Sequence, residues 1–504
     1  MTAASAPPRT ARGPRPPVFP IPVTGRLLWL ELRHNVMLWL LPLVGALFVY
    51  NGYREVMALP PMWNLRAMTL QNRLLLDLVI PATGAAAWMG SREGRRDMTD
   101  LLVVTARPRW SRQLVTWAAT TAWAEVGCLA CIAVVYVMTA RQASWGGPLW
   151  WPAVVSVAGV PPLTAIGFAA GALFPSRFVT PLITVATFFG FAYSTQAASG
   201  DHSYWQISPL TSGAHDIGVA PGVASFYRYL PDLSIAQVMF TVGLTAAVLG
   251  GLGLSAAKGP RLRWLTALVT AVGLGAAGTA VTLAGTGRLD PHGMIVIPAL
   301  HDAASGQPVR YMPRCTQTAI AVCVHPAYAG VLPAVTAAVG PELTELTGLP
   351  GAPARLSQVP VAYQQGPGSN TSIIAALRSP SAFIIPDLIP GQPGANSAEF
   401  AAQLVQTLGL QLMNDVILRG SGRDAGQNPS QSELAVIGGS VRFPSIVEDR
   451  DLAPLFGHLL PAPGSPAARA ARRFAALTPA ARHDWLAHHL AALRAGQITL
   501  AELP

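Results

Sequence analysis

Lysine is almost missing from this 504-residue chain: Lys258 stands alone beside 33 arginines. Charge is scarce too, with Asp, Glu, Lys and Arg at 12% of residues and mean hydropathy at +0.40, as expected when more than a third of a chain lies in lipid. No G-x-x-x-x-G-K-[ST] loop occurs, so the chain has no P-loop of its own for ATP. No H-E-x-x-H occurs, which removes the paired histidines and glutamate base of that zinc-peptidase class, and no G-x-S-x-G elbow is present. His483, His488 and His489 do not share a helical face as an i, i+4 pair would, and solvation is expected for them. The first 24 residues are rich in Pro and Arg without a continuous apolar core, so they read as a disordered cytoplasmic tail and not as a cleavable signal peptide.

The net charge of +10 would suit a nucleic-acid surface if it were spread over the molecule. It is not. Residues 1–285 carry 20 basic and 10 acidic side chains, whereas residues 286–504 carry 14 of each. The excess therefore belongs to the apolar half, where it reads as a topology signal and argues against nucleic acid as a partner. Seven apolar stretches, near 36–53, 67–90, 114–140, 148–173, 178–197, 234–256 and 265–285, each have about the length needed to cross roughly 30 Å of hydrocarbon. Fifteen basic residues fall on the N-terminal side and alternate connections: Arg9, Arg12, Arg15, Arg26, Arg33, Arg92, Arg95, Arg96, Arg107, Arg109, Arg112, Arg177, Lys258, Arg261 and Arg263. Only Arg54, Arg66, Arg141 and Arg228 fall on the others. By the positive-inside rule the N-terminus is cytoplasmic, and an odd span count puts everything after about residue 286 outside a plasma membrane.

Few ionisable residues interrupt the spans. Arg73 and Asp77 are at i and i+4, close enough to pair, and Glu125 stands among apolar neighbours. Such groups are site candidates, or else an ordinary ion pair and a hydrogen-bonded carboxylate. Gly243, Ala247, Gly251 and Ser255 repeat every four residues, and Gly167 with Gly171 do likewise, giving small faces for helix contact. Pro161 and Pro162 predict a kink. Cys128 and Cys131 lie inside the third span as small packing residues. Cys315 and Cys323, an even separation apart in the alternating segment CTQTAIAVC, fall on one face of a strand or hairpin, and an oxidising compartment favours a disulfide between them.

Residues 286–504 are long enough for one α/β or α+β domain. Strands are expected at 294–298, 318–324, 355–363, 372–377 and 382–386, and a helix at 398–418. Two further helices within 465–495 are split at Thr478 and Pro479, an N-cap followed by Pro at the first helical position. The fold expected is thus an α-helical polytopic membrane domain followed by this soluble domain. Its divisions are tail 1–24, six-span core 25–257 with an interfacial N-terminal helix, seventh span 258–285 and exterior domain 286–504.

The connection SREGRRDMTDLLVVTARPRWSRQL, residues 91–114, resembles the coupling loop of type 2 ABC exporter permeases. There an acidic residue, a short helix ending in paired leucines and a Pro with basic neighbours precede the next span. The matching positions are Glu93, Arg95, Arg96, Asp97, Asp100, Leu101 and Leu102, then Arg107, Pro108 and Arg112. With the amphipathic stretch PVTGRLLWLELRH, six spans and a long last outer loop, the resemblance covers residues 22–257. It implies docking of a separate ATPase subunit that carries ATP and Mg, and a homodimer or a heterodimer with a related permease. It implies no cofactor or catalytic site on this chain. The segment VCVHPAYAGVLPAVTAAVGPELTELTGLPGAP looks like one in actinobacterial proteins that join permease-like spans to gluzincin aminopeptidase-like domains, and the scarcity of lysine fits a high-GC bacterium. The leading expectation is an exporter permease. The competing ones are a membrane-tethered peptidase-like protein and a ligand-sensing or immunity protein.

Overall fold

A computed structural model of the chain describes residues 21–95, 108–197, 202–212, 225–257, 259–302, 306–365, 371–375, 382–383, 385, 404, 464–495, 497–499, 501–502 and 504. The tail 1–20, Lys258, the stretch 96–107 and the helix expected at 398–418, apart from Leu404, lie outside them.

The apolar half is helical. Helix α1 (Ile21–Arg33) precedes α2 (Val36–Ala58), and Asn35 caps α2 by accepting the Met37 N–H at 2.9 Å. Helix α3 (Trp63–Leu74) continues through a π-helical turn, Leu75–Val79, into α4 (Ile80–Gly90), making one rod. A single turn, α5 (Arg92–Arg95), follows, and then α6 (Arg109–Gln142), α7 (Trp150–Leu173), α8 (Val179–Ala197), α9 (Asp232–Ala256) and α10 (Pro260–Gly285). Five of these, α2, α6, α7, α9 and α10, are long and apolar enough to cross a membrane. Large apolar side chains on their outer faces are open, with Trp39 at 79% and Trp264 at 77% exposure, as a lipid-facing surface requires. The chain is a membrane protein.

The other two expected spans depart for different reasons. Helix α8 is apolar over Val179–Thr195 and is simply shorter. The α3–α4 rod is more polar because it runs through the middle of the bundle, with nearly every residue from Trp63 to Leu70 buried by protein. There polar side chains find partners. Arg66 donates to the Gln142 side chain at 2.7 Å and to the Leu59 carbonyl at 2.9 Å, and Gln71 donates to the Pro209 carbonyl at 2.5 Å. Helix α7 runs unbroken through Pro161 and Pro162.

Small residues set the packing. A Cβ on Gly167 or Gly171 would collide with the carbonyl oxygens of Thr83 and Ala87, so α7 touches α4 backbone to backbone. Helices α9 and α10 meet in the same way, but not along the four-residue repeat. A Cβ on Gly243 would lie 2.7 Å from the Ala277 nitrogen and one on Gly250 2.8 Å from the Thr270 nitrogen, while Gly251 faces open space and Ser255 is exposed. The contacting face is Gly243, Ala247 and Gly250, a spacing of four then three that follows the 3.6-residue turn.

Beyond α10 the chain forms a small region of sheet and helices at the end of the bundle opposite α5. A four-stranded sheet has the order β3 (Arg314–Cys315), β4 (Ala321–Val324), β5 (Arg355–Gln358), β8 (Ala382–Phe383). The β3–β4 pair is antiparallel, whereas β4, β5 and β8 are parallel, and α11 (Leu332–Leu346) is the crossover between β4 and β5. Two-stranded pairs β1 (Arg288–Leu289) with β2 (Ile295–Val296), and β6 (Val361–Gln365) with β7 (Thr371–Ala375), complete the strands. Helices α12 (Pro466–Ala476) and α13 (Pro479–Arg494) break at Thr478, whose hydroxyl accepts the Ala481 N–H as an N-cap does. Val322, Val335, Val339, Leu343, Leu356, Phe474 and Leu490 form the core, and Met62 and Leu65 from the start of the central rod are part of it.

Gly243→Ala should lower the unfolding midpoint in detergent, at an overpacking cost of about 1–3 kcal/mol. Gly251→Ala should leave it unchanged or raise it slightly, although the two glycines look alike in sequence.

Candidate functional site

At the end remote from the domain, charged side chains join three elements. Glu31 of α1 accepts from Arg92 of α5 at 2.7 Å. Glu93 lies between Arg112 at 3.4 Å and Arg109 at 3.8 Å, both on the first turns of α6. Arg95 folds back on the rod, with its guanidinium 3.5 Å from the Trp88 ring centroid and donating to the Ser91 hydroxyl and the Trp88 carbonyl at 2.9 and 3.0 Å. Pro108 stands at the N-cap of α6, its carbonyl accepting from the Ser111 hydroxyl at 2.8 Å. The Trp110 indole donates to the Leu249 carbonyl of α9 at 3.2 Å.

The residues that bracket the 96–107 connection are therefore tied to α1 and α9 as well as to each other, so a force on that connection is shared by several helices. Of the positions expected to couple, Glu93, Arg95, Pro108 and Arg112 meet here. Arg96, Asp97, Asp100, Leu101, Leu102 and Arg107 lie outside the described residues. Glu93 is held by arginines of its own chain, Glu31 joins the cluster from the amphipathic stretch 22–34, and Trp88 joins it without any sequence motif pointing to it.

Midway along the bundle, two π-helical turns face each other: Val49–Tyr53 within α2 and Leu75–Val79 between α3 and α4. Arg73 makes its close ion pair with Glu55, while its charge still acts on Asp77 four residues on. Asp77 lies against Gly52, where the missing side chain makes room for its carboxylate. Asp77 Oδ2 and Glu125 Oε2 are buried without a hydrogen-bond partner. Cys128 and Cys131 are free thiols on α6, Cys128 fully buried.

At the domain end, Cys315 and Cys323 form a disulfide between directly opposed positions of β3 and β4. His325, two residues on, sits where domain meets bundle. Its ring lies 4.4 Å from Trp145 after α6, 4.3 Å from Tyr311 and 4.9 Å from Phe226. Its Nδ1 accepts the Ala327 N–H at 3.1 Å and its own N–H donates to the Gln358 side chain at 2.8 Å. Ser144 ties the same junction to the Pro326 carbonyl at 2.8 Å, and Asp232 at the start of α9 accepts from the Ile297 N–H at 3.1 Å. Burial among aromatic rings pushes the His325 imidazole down to about 4. Nothing in the pattern of residues singles out His325 beyond its place before Pro326.

Among the described residues no three of His, Cys, Asp and Glu gather as metal ligands would. His483 is not simply solvated: it donates from Nδ1 to the Glu345 carbonyl at 2.7 Å. No family model, curated protein or solved structure matches the chain.

His325 makes the domain junction sensitive to acid. An unfolded imidazole binds its proton near 6.5 and the folded one near 4, so its contribution is fully present above about pH 6.5 and is lost as pH falls toward 4. His325→Asn keeps an acceptor for the Ala327 N–H and should flatten the fall in unfolding midpoint between pH 6.5 and 4; an unchanged slope would assign the acid sensitivity elsewhere.

Proposed function

We propose that this chain is the permease subunit of an ATP-driven exporter of the type 2 ABC kind, spanning the membrane seven times with α8 and the central rod counted among the spans. The N-terminus and the connection 91–113 face the cytoplasm, and the domain after α10 faces outward. A separate ATPase subunit carrying ATP and Mg engages residues 93–112, and two permease subunits, identical or related, make the complete transporter. The observation that carries this reading is the charged junction of α1, α5 and α6 at the end of the bundle opposite the disulfide-bonded domain. Arginine belongs on the cytoplasmic side and a disulfide on the oxidising side, so the two ends support the same orientation independently.

The chemistry asked of this chain is mechanical. Glu93 with Arg109 and Arg112, and Arg92 with Glu31, give a partner that grips the connection a hold on α1 and α6 together. Helix movement then opens or closes a path for the transported compound, for which a hydrophobic or peptide-like class fits the apolar bundle.

Two measurements test the reading. An ATP-binding cassette ATPase should co-purify with the intact protein from its native membrane, and changing Glu93 and Asp97 together to Ala should reduce recovery severalfold; equal recovery would count against coupling here. In intact cells, a membrane-impermeant maleimide should label the chain only after reduction of Cys315–Cys323. Labelling that persists in a Cys315→Ala, Cys323→Ala variant would show that these thiols do not report the side of the domain.

A further inference from the structure

A cleft of about 720 Å³ opens in the soluble domain between the β3–β4 turn, α11 and the first turns of α13. That volume is in the range of small-molecule sites, whereas protein cores of this kind close such gaps with side chains. Its walls are held firmly. The turn is stapled by Cys315–Cys323 and by the Thr316 hydroxyl, which accepts the Val322 N–H at 2.9 Å. Helices α11 and α13 are clamped by the buried Arg482–Glu345 pair, in which Nε donates to the two carboxylate oxygens at 3.0 and 3.1 Å.

The hydrogen-bond inventory of the lining selects the ligand. Thr318 donates its hydroxyl proton to the Ile320 carbonyl, Thr336 to Leu332, Thr344 to Gly340 and Thr347 to Leu343, at 2.7, 2.7, 2.9 and 2.7 Å. A hydroxyl has one proton, so in these bonds the four oxygens are left as acceptors, Thr318 with one lone pair already taken by the Thr316 hydroxyl at 2.8 Å. His483 lines the cleft as well, with its Nδ1 N–H committed to the Glu345 carbonyl. Among the described residues Asp484 adds a carboxylate with no ion-pair partner, and none of those lining the cleft is a lysine or arginine. Glu345 is neutralised by Arg482, so the uncompensated charge is negative. Between these groups the surface is apolar, with Ile320, Leu343 and Ala480 on it.

We infer that this cleft is a binding site for an ammonium group carried on an apolar body, such as the free N-terminus of a short hydrophobic peptide or an aryl-alkyl amine. The ammonium supplies three donors and one positive charge to a surface of acceptors beside Asp484, and the apolar body covers the floor. The site stands on the cleft's own chemistry and holds whether or not the chain is a permease.

Isothermal titration of the full-length protein in detergent with leucyl-leucyl-phenylalanine amide and with 4-phenylbutylamine tests it. At least one amine should bind with one-to-one stoichiometry, and N-acetylation of the peptide, or 4-phenylbutyrate in place of the amine, should weaken binding by at least tenfold. Tighter binding of the peptide would point to a peptide N-terminus as the source, and the reverse to a free amine. Asp484→Asn should weaken binding about tenfold or more, while Ala480→Trp, which fills the cleft, should abolish it with the ligand-free unfolding midpoint retained. No binding by either amine, equal binding of the acetylated peptide, or full affinity in Asp484→Asn would overturn the assignment.

Discussion

Contact between helix backbones is what the membrane half depends on. Lipid chains are as apolar as leucine, so nothing like the hydrophobic effect in water presses these helices together, and close van der Waals approach must do it. Gly167 and Gly171 let α7 lie against the carbonyls of Thr83 and Ala87, and Gly90 lets the rod lie against the Phe168 carbonyl. That seating places the α3–α4 rod at the centre, shielded by its neighbours. Only because it is shielded can it carry Asn64, Arg66, Gln71 and Asp77, each of which would be expensive against hydrocarbon.

The charge distribution follows the same division of labour. At the arginine-rich end, ion pairs are partly exposed, and each is worth little by itself. Their value is geometric, since they join segments far apart in sequence. At the domain end the links are polar and buried or half-buried: Asp232 to the Ile297 N–H, Ser144 to Pro326, His325 to Gln358. The bundle is thus loosely held where a partner would have to move it and tightly held where its own domain sits.

Much of this was legible from residues alone. Spans of about twenty apolar residues, the Thr478–Pro479 break and the Cys315–Cys323 pairing come from period, capping and alternation, which are local and survive tertiary context. Strands β2, β4, β7 and β8 fall within or close to their expected runs for the same reason, but the run expected at 355–363 is split between β5 and β6 in different sheets, and β1 and β3 lie outside these runs. What was hidden is non-local. An i, i+4 rule joined Arg73 to Asp77, whose charges do interact, but Asp77 sits in a π-helical turn and Glu55 from another helix takes the close ion pair. A four-residue glycine repeat named Gly251 and Ser255, yet a straight 3.6-residue helix turns them out of the contact that Gly243 and Gly250 make. His325, Glu31 and Trp88 acquire roles only from what folds against them.

The central rod begins inside one core and ends at another cluster. Met62 and Leu65 are embedded among the side chains of the soluble domain, and about 40 Å away, at a rise of 1.5 Å per residue, Trp88 stacks on Arg95 beside the Glu93 junction. A stiff element anchored at both extremities cannot shift at one without dragging the other. Any tilt imposed at the arginine-rich end is consequently delivered to the domain as displacement of its own interior, and a molecule wedged into that domain would in turn resist the tilt.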